Sequence, residues 1–505
     1  MKGILLFILF SLSVAVAACS GGDGGNSNGS SPSAAGTERI VYLADQDINE
    51  VFELYLAGSS IKLNPPLSRG KNVLDFQITP DKTAVVYRAD QDTPDVFELY
   101  RVEFAHPGVS TKLNSPLPTG GDVWSEVITP DSSSVLYVAD QTTDGVLEVY
   151  RVPFATPGVS TTLNGPLVPG GNVFFDIEAT PGSSAVVYRA TQASANVIEL
   201  YRVPLTTPGV STKLNDALPP NADVTSFEIT PNGTVVVYTA SQRIGNGPPF
   251  DRFEELSSVA LATPGLSTKF TSPVSPGGAL GPSVLVGGYR ITPDSSAVVY
   301  MLTDQSLDFI RFLYRVPFAT PGQSTQLIVP TPTLPTVRTF AIRPDSSGVV
   351  VESQPLSLAR HELFLISFAT PDVSTKLNSP LVVAGRIPNE DDIAYAIAPD
   401  NSSVVYVTDQ TTPDVNELYR VPFATPGVST TLNGPLVVGG GVLGAITGKP
   451  PFHITPDSSA VVYRASETTA RTLELYRVPF ATPTVSTKLN GPLTSGGRVD
   501  DHIVQ

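Results

Sequence analysis

Ile-Thr-Pro-Asp-Ser-Ser-Ser-Val-Leu-Tyr, residues 128–137, decides how this chain folds, because it returns along the whole sequence. Tetrapeptides of the Ile-Thr-Pro-Asp type begin at Ile78, Ile128, Ile229, Ile291 and Ile454, with variants at Ala179, Ile342 and Ile397. Successive starts lie 50 to 57 residues apart, apart from one interval of 62 between Ile229 and Ile291. Proline presets its own φ and aspartate hydrogen-bonds the backbone two residues on, so the tetrapeptide reads as a hairpin turn. A Val-Val-Tyr-like run follows it, as at Val85 to Tyr87, Val135 to Tyr137, Val186 to Tyr188 and Val404 to Tyr406.

After that run come a polar turn, Glu-Leu-Tyr-Arg-Val, a second turn and Ser-Thr-Lys-Leu-Asn. The apolar residues alternate or form short β-branched and aromatic runs, and a 3.6-residue period is missing, so each segment reads as a strand. With the stretch before each turn, such as 122–128, the unit has four strands. Residues 38–64 supply strands two to four with no first strand, and 498–504 supply a first strand with nothing after it. Pairing the two fragments makes a ninth unit and removes the exposed sheet edges. The expected fold is therefore all-β: a single propeller of four-stranded antiparallel blades over 37–505, nine in number, with eight blades or two smaller rings as alternatives.

The units resemble TolB-like propeller repeats, in which a Ser-Pro-Asp-Gly type turn precedes an aliphatic strand ending in an aromatic residue. Here Thr-Pro-Asp-Ser-Ser stands in that place, and Phe-Ala-Thr-Pro-Gly and Leu-Asn-Gly-Pro-Leu connectors lengthen the repeat. The resemblance implies the fold alone, since no separate N-terminal α/β domain accompanies it.

The first eighteen residues carry Lys2, an apolar run from Ile4 to Phe10 and small residues up to Ala18, which reads as a signal peptide. Val16-Ala17-Ala18-Cys19 resembles the lipobox of bacterial lipoproteins, which implies lipidation of Cys19. Cys19 is the only cysteine, so an internal disulfide is excluded. Residues 20–36 form a Gly/Ser/Asn tract that reads as a flexible tether. Ser20 in the position after the lipidated cysteine suggests the outer membrane, with the body facing the periplasm or the cell surface. A net charge of −16 argues against nucleic acid, whose binding depends on Lys and Arg neutralising phosphates.

In an antiparallel blade counted from the axis, the second-to-third turn and the connector to the next blade emerge on one face. The Asp-Gln pairs Asp45-Gln46, Asp90-Gln91, Asp140-Gln141, Asp304-Gln305 and Asp409-Gln410 fall there. So do departures from the repeat at 243–253, 275–289, 386–392 and 438–452, which bring Phe250, Arg252 and Arg386 into consideration. Insertions gathered on one face mark where a propeller meets its partner. The binding-face candidates are thus Asp90, Gln91, Asp140, Gln141, Asp304, Asp409, Phe250, Arg252 and Arg386. The repeated pair also has a structural reading, in which each Asp caps its own turn and each Gln bonds a neighbouring blade; altered pairs at Thr191, Ser241, Ser353 and Ser466 weigh against a cation-holding ring.

Catalytic signatures are sparse. The one Gly-x-Ser-x-Gly, Gly25 to Gly29, falls within the Gly/Ser/Asn tract and not between a strand and a helix, and no glycine-rich segment ends in the Gly-Lys-Ser/Thr of a phosphate loop. His106, His361, His453 and His502 fall in four different units. The single tryptophan, Trp124, sits in a first strand and reads as core or channel lining. No cofactor or metal is expected. The sequence favours a lipid-anchored binding module for an envelope protein or glycan. The alternatives are a carbohydrate-active enzyme with acidic residues in the channel, which predicts a carboxylate cluster with a raised member at one end, and a purely structural surface protein.

Overall fold

A computed structural model describes residues 38–243, 252–270, 284–304, 310–328, 337–353, 361–371, 373–380, 395–443 and 450–505. They form nine four-stranded antiparallel sheets. Blades 2 to 9 are each built from four consecutive strands running from the axis outwards, over 73–112, 123–162, 173–213, 222–269, 284–326, 337–376, 395–431 and 452–488. Blade 1 is composite: Ile40–Ala44, Glu53–Leu56 and Ile61–Lys62 come from the N-terminal end, and the innermost strand Val499–Val504 from the C-terminal end. Ile40 faces Val504 and Tyr42 faces His502 in that closing ladder.

The second strand of each blade is sandwiched between the neighbouring sheets, which is why it reads as an unbroken apolar run and not as an alternation. Val85, Val86 and Tyr87 are all fully buried, as are Val461, Val462 and Tyr463. The tyrosine ending that run lies opposite the tyrosine of Glu-Leu-Tyr-Arg-Val, as Tyr87 does opposite Tyr100. Seven blades repeat the pair with ring centroids 5.4 to 5.9 Å apart. Such contacts contribute about 0.5–1.5 kcal/mol each beyond the area they bury.

One core cluster joins Tyr42 and Tyr55 of blade 1 to Val462 and Leu475 of blade 9. Another joins Val237 and Leu256 of blade 5 to Tyr289 and Val298 of blade 6, across the 62-residue interval. The molecule is therefore one ring of nine, and the eight-bladed and two-ring alternatives fall.

The Thr-Pro-Asp turns do more than reverse the chain. Ser132, Ser183, Ser295, Ser346 and Ser458 all adopt the left-handed conformation, with φ between 52° and 58°. Glycine would adopt that conformation at less cost. The serine hydroxyl, however, accepts a hydrogen bond from the backbone N–H of the preceding blade's turn: Ser132 from Asp81, Ser183 from Asp131 and Ser458 from Asp400, each at 3.0 Å. The Thr-Pro-Asp face is thus stapled blade to blade.

Candidate binding face and channel mouth

In three of the Asp-Gln turns, at Asp45, Asp90 and Asp140, both carboxylate oxygens are committed to the backbone. Asp90 Oδ2 accepts from Asp95 N–H at 3.1 Å, capping its own turn, and Oδ1 accepts from Asn72 N–H at 2.5 Å, fixing the entry to the blade's innermost strand. Asp140 repeats this with Gly145 and Asp122, and Asp45 with Glu50 and Arg498. Asp409 accepts from Asp414 N–H at 3.1 Å. In blade 4, Thr191 Oγ1 replaces the carboxylate and accepts from Asn172 N–H at 2.8 Å.

The glutamines differ from the expectation that they bond a neighbouring blade. Gln91 Oε1 accepts from Tyr87 and Gln91 Nε2 donates to Ser110 Oγ, both in its own blade, and Gln141 accepts from Tyr137 at 2.7 Å. The four-residue spacing from the buried tyrosine brings the amide back over that tyrosine's hydroxyl, so the hydroxyl is satisfied locally. Glu467, standing where other turns have Gln, does reach across, accepting from Gly434 N–H at 2.9 Å, and Gln242 donates to the Pro220 carbonyl of the incoming connector at 3.2 Å.

The innermost strand of each blade is a sheet edge, and its unpaired peptide groups face the channel. Side chains from the preceding blade cover them. Gln77 donates to the Glu126 carbonyl at 2.9 Å, Glu178 accepts from Ile229 N–H at 2.9 Å, and Arg189 donates to the Val224 carbonyl at 2.9 Å. Arg88 donates to the carbonyls of Val123 and Trp124 and holds two carboxylates, Asp75 of its own blade and Glu126 of the next, the latter at 2.9 Å. One guanidinium between two carboxylates leaves an excess negative charge in a buried place. Burial and the Asp75 charge accordingly raise the Glu126 carboxyl.

Burial also pushes Glu178 up to about 8 and Glu228 up to about 7. Asp176, which Arg189 holds with two bonds, is raised by burial as well. This arc of carboxylates spans blades 2 to 5. In blades 9 and 1, burial lowers His453 to about 4 and puts His502 well below its ordinary value. Their rings meet edge to face at 4.8 Å, and His502 Nδ1 is buried without a hydrogen-bond partner among the described residues.

The innermost strands of blades 1 to 7 lose register near their start. The slip falls between Val73 and Asp75, Val123 and Ser125, and Val173 and Ile177. Leu74, Trp124 and Phe174 to Asp176 consequently stand outside the ladder, at the end of the strand that meets the Asp-Gln face. Leu74 and Phe175 are 45% and 44% exposed. Trp124 stacks on Phe175 with centroids 5.4 Å apart and donates Nε1–H to Asp140 at 3.3 Å. The expected channel lining at Trp124 is thus an aromatic pair at the mouth.

Among the sequence-predicted residues, Asp90, Gln91, Asp140, Gln141 and Asp409 are all on the Asp-Gln face, each in the structural bonds given above. Asp304 and Arg252 lie in strands whose backbone is described, their side chains falling outside the described residues. Phe250, Arg386 and Cys19 lie outside the described residues altogether. No group of three or more His, Cys, Asp or Glu side chains placed to hold a metal forms among the described residues.

The fold and the stapled ring define a nine-bladed β-propeller. Among solved structures it is similar to Porphyromonas gingivalis dipeptidyl peptidase 4, with a TM-score of 0.55 and 9% identity over 83% of this chain and 59% of that one. A eukaryotic initiation factor matches with a TM-score of 0.54 and 9% identity, over 92% of this chain and 98% of that one. An oligogalacturonate lyase in complex with manganese shares 16% identity over 82% of this chain and 98% of that one, with a TM-score of 0.43. These likenesses show the fold and no more. No family model and no curated protein matches the chain.

Proposed function

We propose that the protein is a binding propeller, tethered to the cell envelope through Cys19, that meets a protein or glycan partner with its Asp-Gln face. The observation that carries this reading is the contrast between the two faces. The Thr-Pro-Asp face is held in near-identical turns stapled to one another, whereas the departures at 243–253, 275–289, 386–392 and 438–452 all leave and re-enter the body on the other face. A rigid ring displaying divergent loops on one side suits recognition. Residues 37–505, freed of the tether, are expected to capture a partner from envelope extract, and shortening 243–253 is expected to reduce that capture. Capture indifferent to this loop would count against the assigned face.

A second reading, a carbohydrate-active enzyme, draws on the raised carboxyls of Glu178 and Glu228. Their engagement with the next blade's innermost strand gives them a structural task first. Polysaccharide cleavage abolished by Glu178→Gln in a stably folded protein would favour the enzymatic reading over the binding one.

A further inference from the structure

We propose that the stacked Trp124 and Phe175 side chains form a platform for an uncharged glycan, placed where the channel opens on the Asp-Gln face. The inference rests on the binding reading above and specifies one ligand class for it. Three successive blades place a large apolar residue at the same irregular position, Leu74, Trp124 and Phe175, whereas blade 5 has Thr225 and blade 7 Arg338 there. Elsewhere in the fold most exposed aliphatic residues recur singly on outer turns, as Val109, Val159 and Val210 do, with Ile61 in an outer strand and Val438 in a connector as the exceptions among the described residues. Single exposed aliphatics need no explanation, but adjoining aromatic surface at a channel mouth does.

The platform is held rigid. Ser125 Oγ donates to the Phe175 carbonyl at 2.6 Å, Arg88 donates to the Trp124 carbonyl, and the indole N–H is tied to Asp140. An aromatic surface fixed in place binds without first being ordered, which favours a weakly held, repetitive ligand. Hydrogen-bonding groups flank it: Asp75, paired with Arg88, and Asp176, paired with Arg189, keep 27% and 30% of their side chains exposed.

Charge selects among ligands. The guanidinium beside each carboxylate offsets its attraction for a cation, and the chain's net charge of −16 disfavours an anionic sugar. What remains favoured is a neutral pyranose chain, its C–H face on the rings and its hydroxyls bonded to the exposed carboxylate and guanidinium edges.

Trp124 is the only tryptophan in the chain, so emission excited at wavelengths that tyrosine does not absorb reports on this platform. Residues 37–505 would be titrated with maltoheptaose, cellohexaose and mannohexaose, with spermine and a hexagalacturonate as charged controls. The expected result is a saturable emission change and protection from acrylamide quenching with at least one neutral oligosaccharide. Phe175→Ala is expected to weaken it about tenfold, the loss of one stacking contact. Trp124→Phe, read by calorimetry, retains a ring at this position and is expected to lose less. Saturation by spermine alone, by hexagalacturonate alone, or by none of these ligands would overturn the proposal. So would unchanged affinity in a folded Phe175→Ala protein. Partner capture by the loop face that persists after such a failure would leave the binding reading standing, whereas loss of both would remove it.

Discussion

Replacing Val499 by alanine tests the ring's closure against a control that the repeat itself provides. Val499 and Val123 occupy equivalent places in blades 1 and 3. Each is essentially fully buried, and each faces an alanine of the second strand, Ala44 and Ala139 respectively. Each also donates its N–H at 2.9 Å to the start of the preceding blade's third strand, at Leu473 and Phe97. Valine to alanine removes two methyl groups, worth about 1.6 kcal/mol at roughly 0.8 kcal/mol each, and the cavity left behind brings the total to about 2–3 kcal/mol. Closure by the C-terminal strand predicts the same loss at both sites, read as the shift in urea midpoint multiplied by the common slope. A clear loss at Val123 with none at Val499 would show that the C-terminal strand is not part of the folded ring, and the blade count would fall with it.

Three further predictions concern the stapled face, pH and the tether. At Ser132, alanine removes the inter-blade hydrogen bond while keeping the left-handed strain. Glycine removes both, so Ser132→Gly is expected to be about 1 kcal/mol more stable than Ser132→Ala in denaturant titrations; equal stabilities would deny the strain. Between pH 6.5 and 8 the folded state holds protons on Glu178 and Glu228 that the unfolded chain has released, so stability is expected to fall as pH rises through this window. Glu178→Gln should flatten that slope, and a slope unchanged by the substitution would place the proton elsewhere. Below pH 6.5 the lowered His453 and His502 act in the opposite sense, since the unfolded chain takes up their protons first, and His502→Asn should extend acid tolerance as followed by circular dichroism. Cys19→Ser is expected to move the protein from the membrane fraction to the soluble one, and continued membrane retention would refute the lipid tether.

Much of the fold was legible in the sequence because a propeller repeats its local chemistry. Thr-Pro-Asp marked each first hairpin, Val-Val-Tyr the doubly covered strand, and the split unit at 38–64 and 498–504 the closing blade. What could not be read were relations between blades about fifty residues apart. The serine after Thr-Pro-Asp looked like a substitute for glycine. Its use appears only once the next blade's hydroxyl is seen to meet the preceding turn, as Ser132 meets Asp81. Gln91 carries no sign in sequence that its partner is Tyr87 four residues back and not the adjoining blade. Trp124 and Phe175 share a position only because their innermost strands slip register there, and a slip of one or two residues leaves no period to detect. Arg88 holding both Asp75 and Glu126 likewise depends on which strand lies beside which.

The most direct test of the central claim, recognition through the Asp-Gln face, is capture from envelope extract and glycan mixtures by two variants of residues 37–505. One carries Phe175→Ala with 243–253 shortened, altering that face. The other carries lysine at the exposed Val159 and Val210 on the opposite side. The account predicts that the first loses its partner while the second retains it at the level of the unmodified protein. Loss in the second variant with retention in the first would contradict it.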